Sequence, residues 1–288
     1  MSELSAKSGQ QRDEDTDDPN ELVYSLDTFE DDSRQCVDLI RQLSSFDDQN
    51  NDEKCMREVE RICERFDYLI SKWQTNPKLI ESHVKQFLEA IIETVTTSAV
   101  NGIRFNAAFQ LMHRLVSCIG PKSVCRSLPT EVFWLTKLMD WCERQSPEDY
   151  KTWPTRAMLL LWLSMAVKTP FHLRKFDAKD ETSTQKTITE RIYALIDAYL
   201  KATDKCIDSA ALLSANFFSR PDIVDQLLSR FMNESFQRLL QSEPSLGHVM
   251  AVGVLFKVGD RQDINPYAHR VIEMSMNRLN GYSNRSRV

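Results

Sequence analysis

Apolar residues recur at steps of three and four along most of this chain. Over Met56, Val59, Ile62, Cys63, Phe66, Leu69, Ile70 and Trp73 they fall on one side of a helical wheel, with Arg57, Glu60, Arg61, Glu64 and Arg65 on the other. That arrangement fits a helix with one face in a core and one in water. The stripe returns in Ile188, Ile192, Leu195, Ile196, Tyr199 and Leu200, and again in Ile223, Val224, Leu227, Leu228, Phe231, Met232 and Phe236. No stretch keeps up the alternation of a half-buried strand, so the pattern predicts an all-helical protein.

The breaks in the pattern are marked by proline, which removes a helix donor and clashes with the preceding turn. Pro77, Pro121, Pro129, Pro147, Pro154, Pro170, Pro221, Pro244 and Pro266 fall between periodic segments, and Gly102, Gly120 and Gly259 stand where helix C-caps are expected. The intervals predict roughly ten helices of about 12 to 20 residues. They are joined by short turns, with one longer polar loop near 175–185.

Such helices form either a bundle or an α-solenoid, and the segment Met158 to Val167 favours the second. Met158, Leu159, Leu160, Leu161, Trp162, Leu163, Met165, Ala166 and Val167 are apolar nearly all round, which suits a helix covered by neighbours on both sides. The fold expected is an all-α solenoid of degenerate HEAT- or armadillo-like helical repeats over 33–282, since no fixed period is visible. Trp162 should lie in its core. Arg156, six residues earlier, reads as an exposed residue at the start of the same helix.

Charge separates a tail from this body. Residues 1–32 hold eleven acids against two bases, a net of −9, whereas the whole chain is at −6, so the remainder is near +3. An acidic segment with few apolar residues lacks the burial that offsets ordering entropy. Residues 1–32 are therefore expected as a disordered acidic tail, and Tyr24, Leu26 and Phe29 in it are either idle or a short docking motif. Residues 283–288 read as a polar end. A near-neutral body has no basic footprint for nucleic acid. The longest apolar run, Ala157 to Val167, broken only by Ser164, is too short for a membrane span.

Candidate chemistry is sparse. The seven glycines form neither a dinucleotide fingerprint nor a P-loop. The five histidines are dispersed, and no two cysteines make a C-x-x-C pair. His113, Cys118 and Cys125 approach a metal set but lack a fourth ligand, and read better as core thiols with a surface histidine. Neither a cofactor nor a metal is expected. The odd number of scattered cysteines suits reduced, buried thiols, and a catalytic Cys/His pair assembled in space is the only enzymatic alternative left.

The stretch from Trp153 to Asp177, W-P-T-R-A-M-L-L-L-W-L-S followed by a Pro-Phe turn, resembles a block of the tubulin-folding cofactor D family. Asp204, Lys205, Asp208, Ala210 and Ala211, then Arg220, Pro221 and Asp222, and then Phe256 to Ala268 resemble its next blocks in the same order. Trp73, Gln74, Pro77 and Leu79 also fit. Pro154 and His172 stand where the family commonly has acids. The resemblance implies a cytoplasmic, non-enzymatic chaperone, with microtubules or centrosomes as a further place of work. It implies β-tubulin, tubulin-folding cofactor E and an Arf-like small GTPase as partners, and stimulation of GTP hydrolysis only inside the larger assembly. It also implies that this chain corresponds to the N-terminal quarter of much longer proteins. The absence of an obvious polar closing helix before Val288 then reads as a cut.

Ten polar residues in the matching turns are the candidates for partner contact or for structural capping: Arg156, Asp177, Asp204, Lys205, Asp208, Arg220, Asp222, Lys257, Arg261 and Asp263. A generic helical-repeat adaptor for another cytosolic assembly fits the same residues.

Overall fold

In the computed structural model, residues 19–48, 52–176, 186–202, 205–241 and 245–285 are described, with side chains between 26 and 277. Among the described residues there is no strand. The helices are α1 (Pro19–Leu43), α2 (Glu53–Lys72), α3 (Pro77–Thr97), α4 (Ile103–Ile119), α5 (Pro121–Ser127), α6 (Val132–Glu143), α7 (Trp153–Ala166), α8 (Ile188–Lys201) and α9 (Ile207–Phe218). The chain continues through α10 (Pro221–Ile223), a π turn (Val224–Leu228), α11 (Ser229–Leu239), α12 (Leu246–Val258) and α13 (Arg261–Arg285).

These helices stack rather than close into a bundle. A row of inner helices runs α4, α7, α9, α12, each packed on the one before and the one after. The others lie alongside: α2 and α3 on α4, α6 on α7, α8 on α9, and α8 and α11 on α12. The buried apolar side chains form one continuous core along the stack. This is the helical-repeat solenoid that the sequence pattern predicts.

Local sequence accounts for each type of helix. In α2 the buried residues are Val59, Ile62, Cys63, Phe66, Leu69 and Ile70. The ionic face is exposed, and so is Met56 in the first turn. Every position of the α8 stripe is buried, and that helix starts on a capping box in which Thr187 and Glu190 bond each other's backbone amides. In α7, eleven of the fourteen residues are buried, because α4 and α6 cover one side and α9 the other. Trp162 is fully buried and donates its indole N–H to the Pro129 carbonyl at 2.7 Å. The stripe from Ile223 to Phe236 skips from Ile223 to Leu228, a step of five that matches the π turn between them, and leaves Val224 and Leu227 half-buried.

Polar clips set the register between neighbouring helices. Asp48 accepts from the amides of Ala99 and Arg104 and from the Arg104 guanidinium, 51 and 56 residues on. Thr155 donates to Asn106 across 49 residues, Asn216 to the Ser164 carbonyl across 52, and Ser245 to the Leu200 carbonyl across 45. These clips join residues 45 to 56 positions apart. Gly247 allows one of the closest approaches: a Cβ there would come within 2.3 Å of the Leu200 carbonyl oxygen.

Several expectations are corrected. The tail boundary at 32 falls inside α1, which begins at Pro19. Phe29 is buried against Trp73 and His83, with ring centroids 5.1 Å away in each case. Asp32 is buried and accepts from Lys72 and Trp73 at 2.7 and 2.9 Å. Acids in this stretch thus face a core partner as well as water. Residues 1–18 lie outside those described. The boundary at 282 likewise falls within α13, and 286–288 are outside the described residues.

Pro266 does not separate elements; it is the sixth residue of α13. The carbonyl it leaves without a helical donor belongs to the exposed Gln262, where water can take over. Gly102 caps the start of α4 rather than the end of α3, with extended backbone. Gly120, at φ 83°, and Gly259 do end helices. Most of the 175–185 loop is outside the described residues, and so is Pro244.

Trp162→Ala should therefore destabilise the whole stack by about 3–5 kcal/mol, through lost burial and the cavity left between α7 and α6, where Trp134 and Trp141 pack on its ring. Chemical denaturation followed by far-UV circular dichroism checks this; an unchanged midpoint would remove Trp162 from the core.

Candidate functional site

The motif Arg220-Pro221-Asp222 is a clamp between consecutive inner helices. Pro221 opens α10 with its ring at the first helical position, where a missing amide donor costs nothing. Just before it, Arg220 is buried and turns back towards the end of α7. Its guanidinium donates to the carbonyls of Val167, Thr169 and Phe171 and to the Asp222 carboxylate. Asp222 in turn accepts the Leu173 amide at 2.8 Å, fixing the short 3-10 segment Leu173–Phe176. Burial alone would raise the Asp222 carboxyl, but the bonds from Arg220 and Leu173 outweigh it and hold the group below its ordinary value.

Beside the clamp opens a groove of about 890 Å³ between the start of α8 and the π turn. Its rim carries His172, Lys186, Glu190, Asp225 and Arg230, and its wall includes Tyr193, Ile223 and Leu227. Most of these charges have internal partners. Tyr193 donates to Glu234 at 2.6 Å, Arg230 bonds the same carboxylate at 2.8 Å, and the Arg230 guanidinium lies 4.9 Å above the Tyr193 ring. Burial, then Glu234, push the Tyr193 phenol up. It stays protonated at neutral pH. Glu190 is turned back to the Thr187 amide, and exposed His172 lies 3.8 Å from Asp222. The groove thus offers a surface of mixed charge over an apolar wall.

Five of the seven cysteines are poor nucleophiles where they sit. Burial pushes the Cys36 and Cys63 thiols up to about 12 and the Cys125 thiol to about 11, and raises Cys142 and Cys118 as well. A protonated thiol neither attacks a carbonyl nor binds a metal readily. His113 is half-buried, its ring 4.6 Å from that of Trp153, and not a surface residue.

The ten candidates divide by position. Arg156 is corrected: it is 1% exposed, and donates to the Asp149 carbonyl and the Thr152 hydroxyl in the turn before α7. Arg220 is buried in the clamp, and Asp222 is held by it at the groove. Lys205, Asp208, Lys257 and Arg261 are exposed and Asp263 is half-buried. Lys205 lies 4.7 Å above the Trp153 ring. Asp177 and Asp204 lie outside the described residues. Among the described candidates, Asp222 is thus the one that lines the groove. Apart from Pro221 of the same motif and His172 of the block before it, its lining residues carry no motif, because they come from three segments that meet only in space. His248 was likewise unmarked: it is buried in α12, within 2.8 Å of the Ser245 hydroxyl.

A family model described as "Tubulin-specific chaperone D-like, ARM repeat" matches residues 70–239, from the end of α2 to the last residue of α11. "Tubulin-folding cofactor D" of Schizosaccharomyces pombe is 25% identical over 182 residues, which make up 63% of this chain and 16% of that protein. The chain therefore spans far less than two thirds of that relative. No solved structure matches it.

Two outcomes test this geometry. Arg220→Ala takes the donor from three carbonyls and the cation from Asp222, which keeps the Leu173 amide, and should cost about 3–5 kcal/mol, as expected when one partner of a buried ion pair is removed. Arg220→Lys should restore only part, since an ammonium lacks the planar fork. Denaturation midpoints of both variants decide it. His248 gives a pH signature: burial first, then Arg238, lower its pKa to about 4. The unfolded chain takes up this proton near 6.5 and the folded chain does not, so stability should fall as pH drops from about 6.5 towards 4, by up to ~3 kcal/mol. Asp48 and Asp222, whose pKa values are lowered, lose their contributions only below the ordinary carboxylate range. Melts of His248→Gln across this window should be flatter than those of the parent.

Proposed function

We propose a function from the family: this chain belongs to the tubulin-specific chaperone D-like, armadillo-repeat proteins, and it acts as a scaffold in tubulin folding. In this reading it binds β-tubulin in the cytoplasm, together with tubulin-folding cofactor E and an Arf-like small GTPase, during assembly of the αβ heterodimer. It promotes GTP hydrolysis by tubulin only as part of the larger assembly. The observation that carries the reading is the coincidence of the family match with the stack from the end of α2 to α11. The fold supports it physically: a stack of helices presents an extended surface, which suits a folded protein client better than a small molecule.

In this reading the contacts fall on exposed charges among the ten candidates. Lys205 and Asp208 stand at the start of α9, and Lys257 and Arg261 at the junction of α12 and α13. Microtubules or centrosomes as a place of work follow from the same reading.

The test is retention of purified tubulin, cofactor E and the small GTPase, each offered separately to the immobilised full chain. Tubulin should be retained. Lys205→Glu with Lys257→Glu and Arg261→Glu should weaken its binding by about tenfold or more, equivalent to ~1.4 kcal/mol. The side chains are exposed and Lys205 gives up its contact with the Trp153 ring, so stability should fall by no more than about 1 kcal/mol. Failure to retain any of the three proteins would reject the chaperone reading in favour of a helical-repeat adaptor for another assembly.

A further inference from the structure

The turn that leaves α7 is held from inside and charged outside. Arg220 draws the carbonyls of Val167, Thr169 and Phe171 inward, and Asp222 takes the Leu173 amide. Thr169 and Leu173 are buried with them, whereas Lys168, Pro170, Phe171, His172, Arg174 and Lys175 all stand exposed. Phe171 is 47% exposed, with the Lys175 ammonium 5.6 Å from the centre of its ring. A backbone bonded at four points to buried groups has little freedom left to lose, so the outer side chains are in place before any partner arrives.

Cations predominate on this outer side. α5 packs on α7, and the Lys168 charge acts on Cys125 of α5, which brings the exposed Lys122 and Arg126 to the same edge. Among the described residues, Lys122, Arg126, Lys168 and Lys175 have no carboxylate partner, and Arg174 donates to the neutral Gln226. Elsewhere on the surface such charges pair within their own helix, as Arg57 does with Glu53 and Lys201 with Asp197. Of the acids in the adjoining groove, Asp222 is taken by Arg220 and Glu190 by its capping box, which leaves Asp225. The turn lies in mid-row, with α4 before it and α9 and α12 after it.

We propose that this turn docks an acidic segment of a partner protein, whose carboxylates meet Lys168, Arg174 and Lys175 and whose apolar side chain covers Phe171. Charge complementarity selects the occupant: cations without internal partners favour a segment carrying several carboxylates. A nucleic acid would need a longer basic face than one turn and the end of α5 supply. The exposed ring gives the segment a fixed apolar point between the charges. The surface shares no residue with the contacts assigned to tubulin above, and stands whether or not tubulin is bound.

The probe is a fluorescein-labelled peptide of glutamates around one phenylalanine, titrated with the full chain at about 0.15 M salt, where distant charges are screened, and followed by anisotropy. It should bind in the ~10–100 µM range, and the same peptide with lysines for glutamates should not. Lys168→Glu with Lys175→Glu should raise the dissociation constant by about tenfold or more and Phe171→Ala by about threefold. Lys205→Glu with Lys257→Glu should leave it unchanged. All these side chains are exposed, so circular dichroism and melting temperature should stay close to those of the parent. No binding by the parent, or an affinity that the turn variants do not change, would overturn the proposal. Stronger retention on phosphatidylserine vesicles or duplex DNA than of the peptide, lost in the same variants, would overturn it in favour of those ligands. A last arm concerns residues 177–185, which carry Asp177, Asp180 and Glu181 against Lys179. Replacing these three acids by their amides should leave peptide affinity within about threefold; a gain of about tenfold or more would make this chain's own segment the occupant and reject the partner.

Discussion

The fold depends on one constraint: a helix that is apolar around its whole circumference must be covered on opposite sides. α7 imposes it most strongly, with Trp162 and the leucines around it all buried. Neither a two-helix pair nor a single layer can satisfy such a helix. A row can, because each inner helix is cover for the next, and α4, α7, α9 and α12 form that row. The amphipathic helices α2, α8 and α11 need only one partner face and so lie alongside. Stack geometry thus follows from which helices are two-sided, before any particular contact is considered.

Burial is non-directional and does not fix register. Register comes from polar groups that would be costly to bury without a partner. Arg220 takes three carbonyls released where α7 ends and binds them to the start of the next unit. Asp48 and Arg104 do the same between the end of α1 and the start of α4, and Asn106, Thr155, Ser164 and Asn216 join the inner helices in pairs. These polar bonds join residues 49 to 56 positions apart, so register is held by pairing across the stack.

What could be read from the sequence follows the same division. Periodicity is local, so the α8 stripe and the all-round burial of α7 could be read directly. Arg156 could not, since its burial depends on a turn that aims the Asp149 carbonyl at it. Nor could the place of Phe29 and Asp32, where dense acids hide core positions whose partners, Lys72 and Trp73, lie some 40 residues on. The resemblance found Arg220 and Asp222 as a motif without telling clamp from contact. It gave no sign of the groove beside them, whose walls are brought together only by folding.

The two-sided constraint is tested most directly by native-state hydrogen exchange on the full chain, resolved to individual helices. Inner helices covered on both sides open only with the whole stack, so α7 and α9 should show the highest protection, close to the global unfolding free energy. Protection should fall away towards α2, covered on one face, and towards α13. Equal protection along all the helices, or an α7 that exchanges faster than α2, would contradict the account.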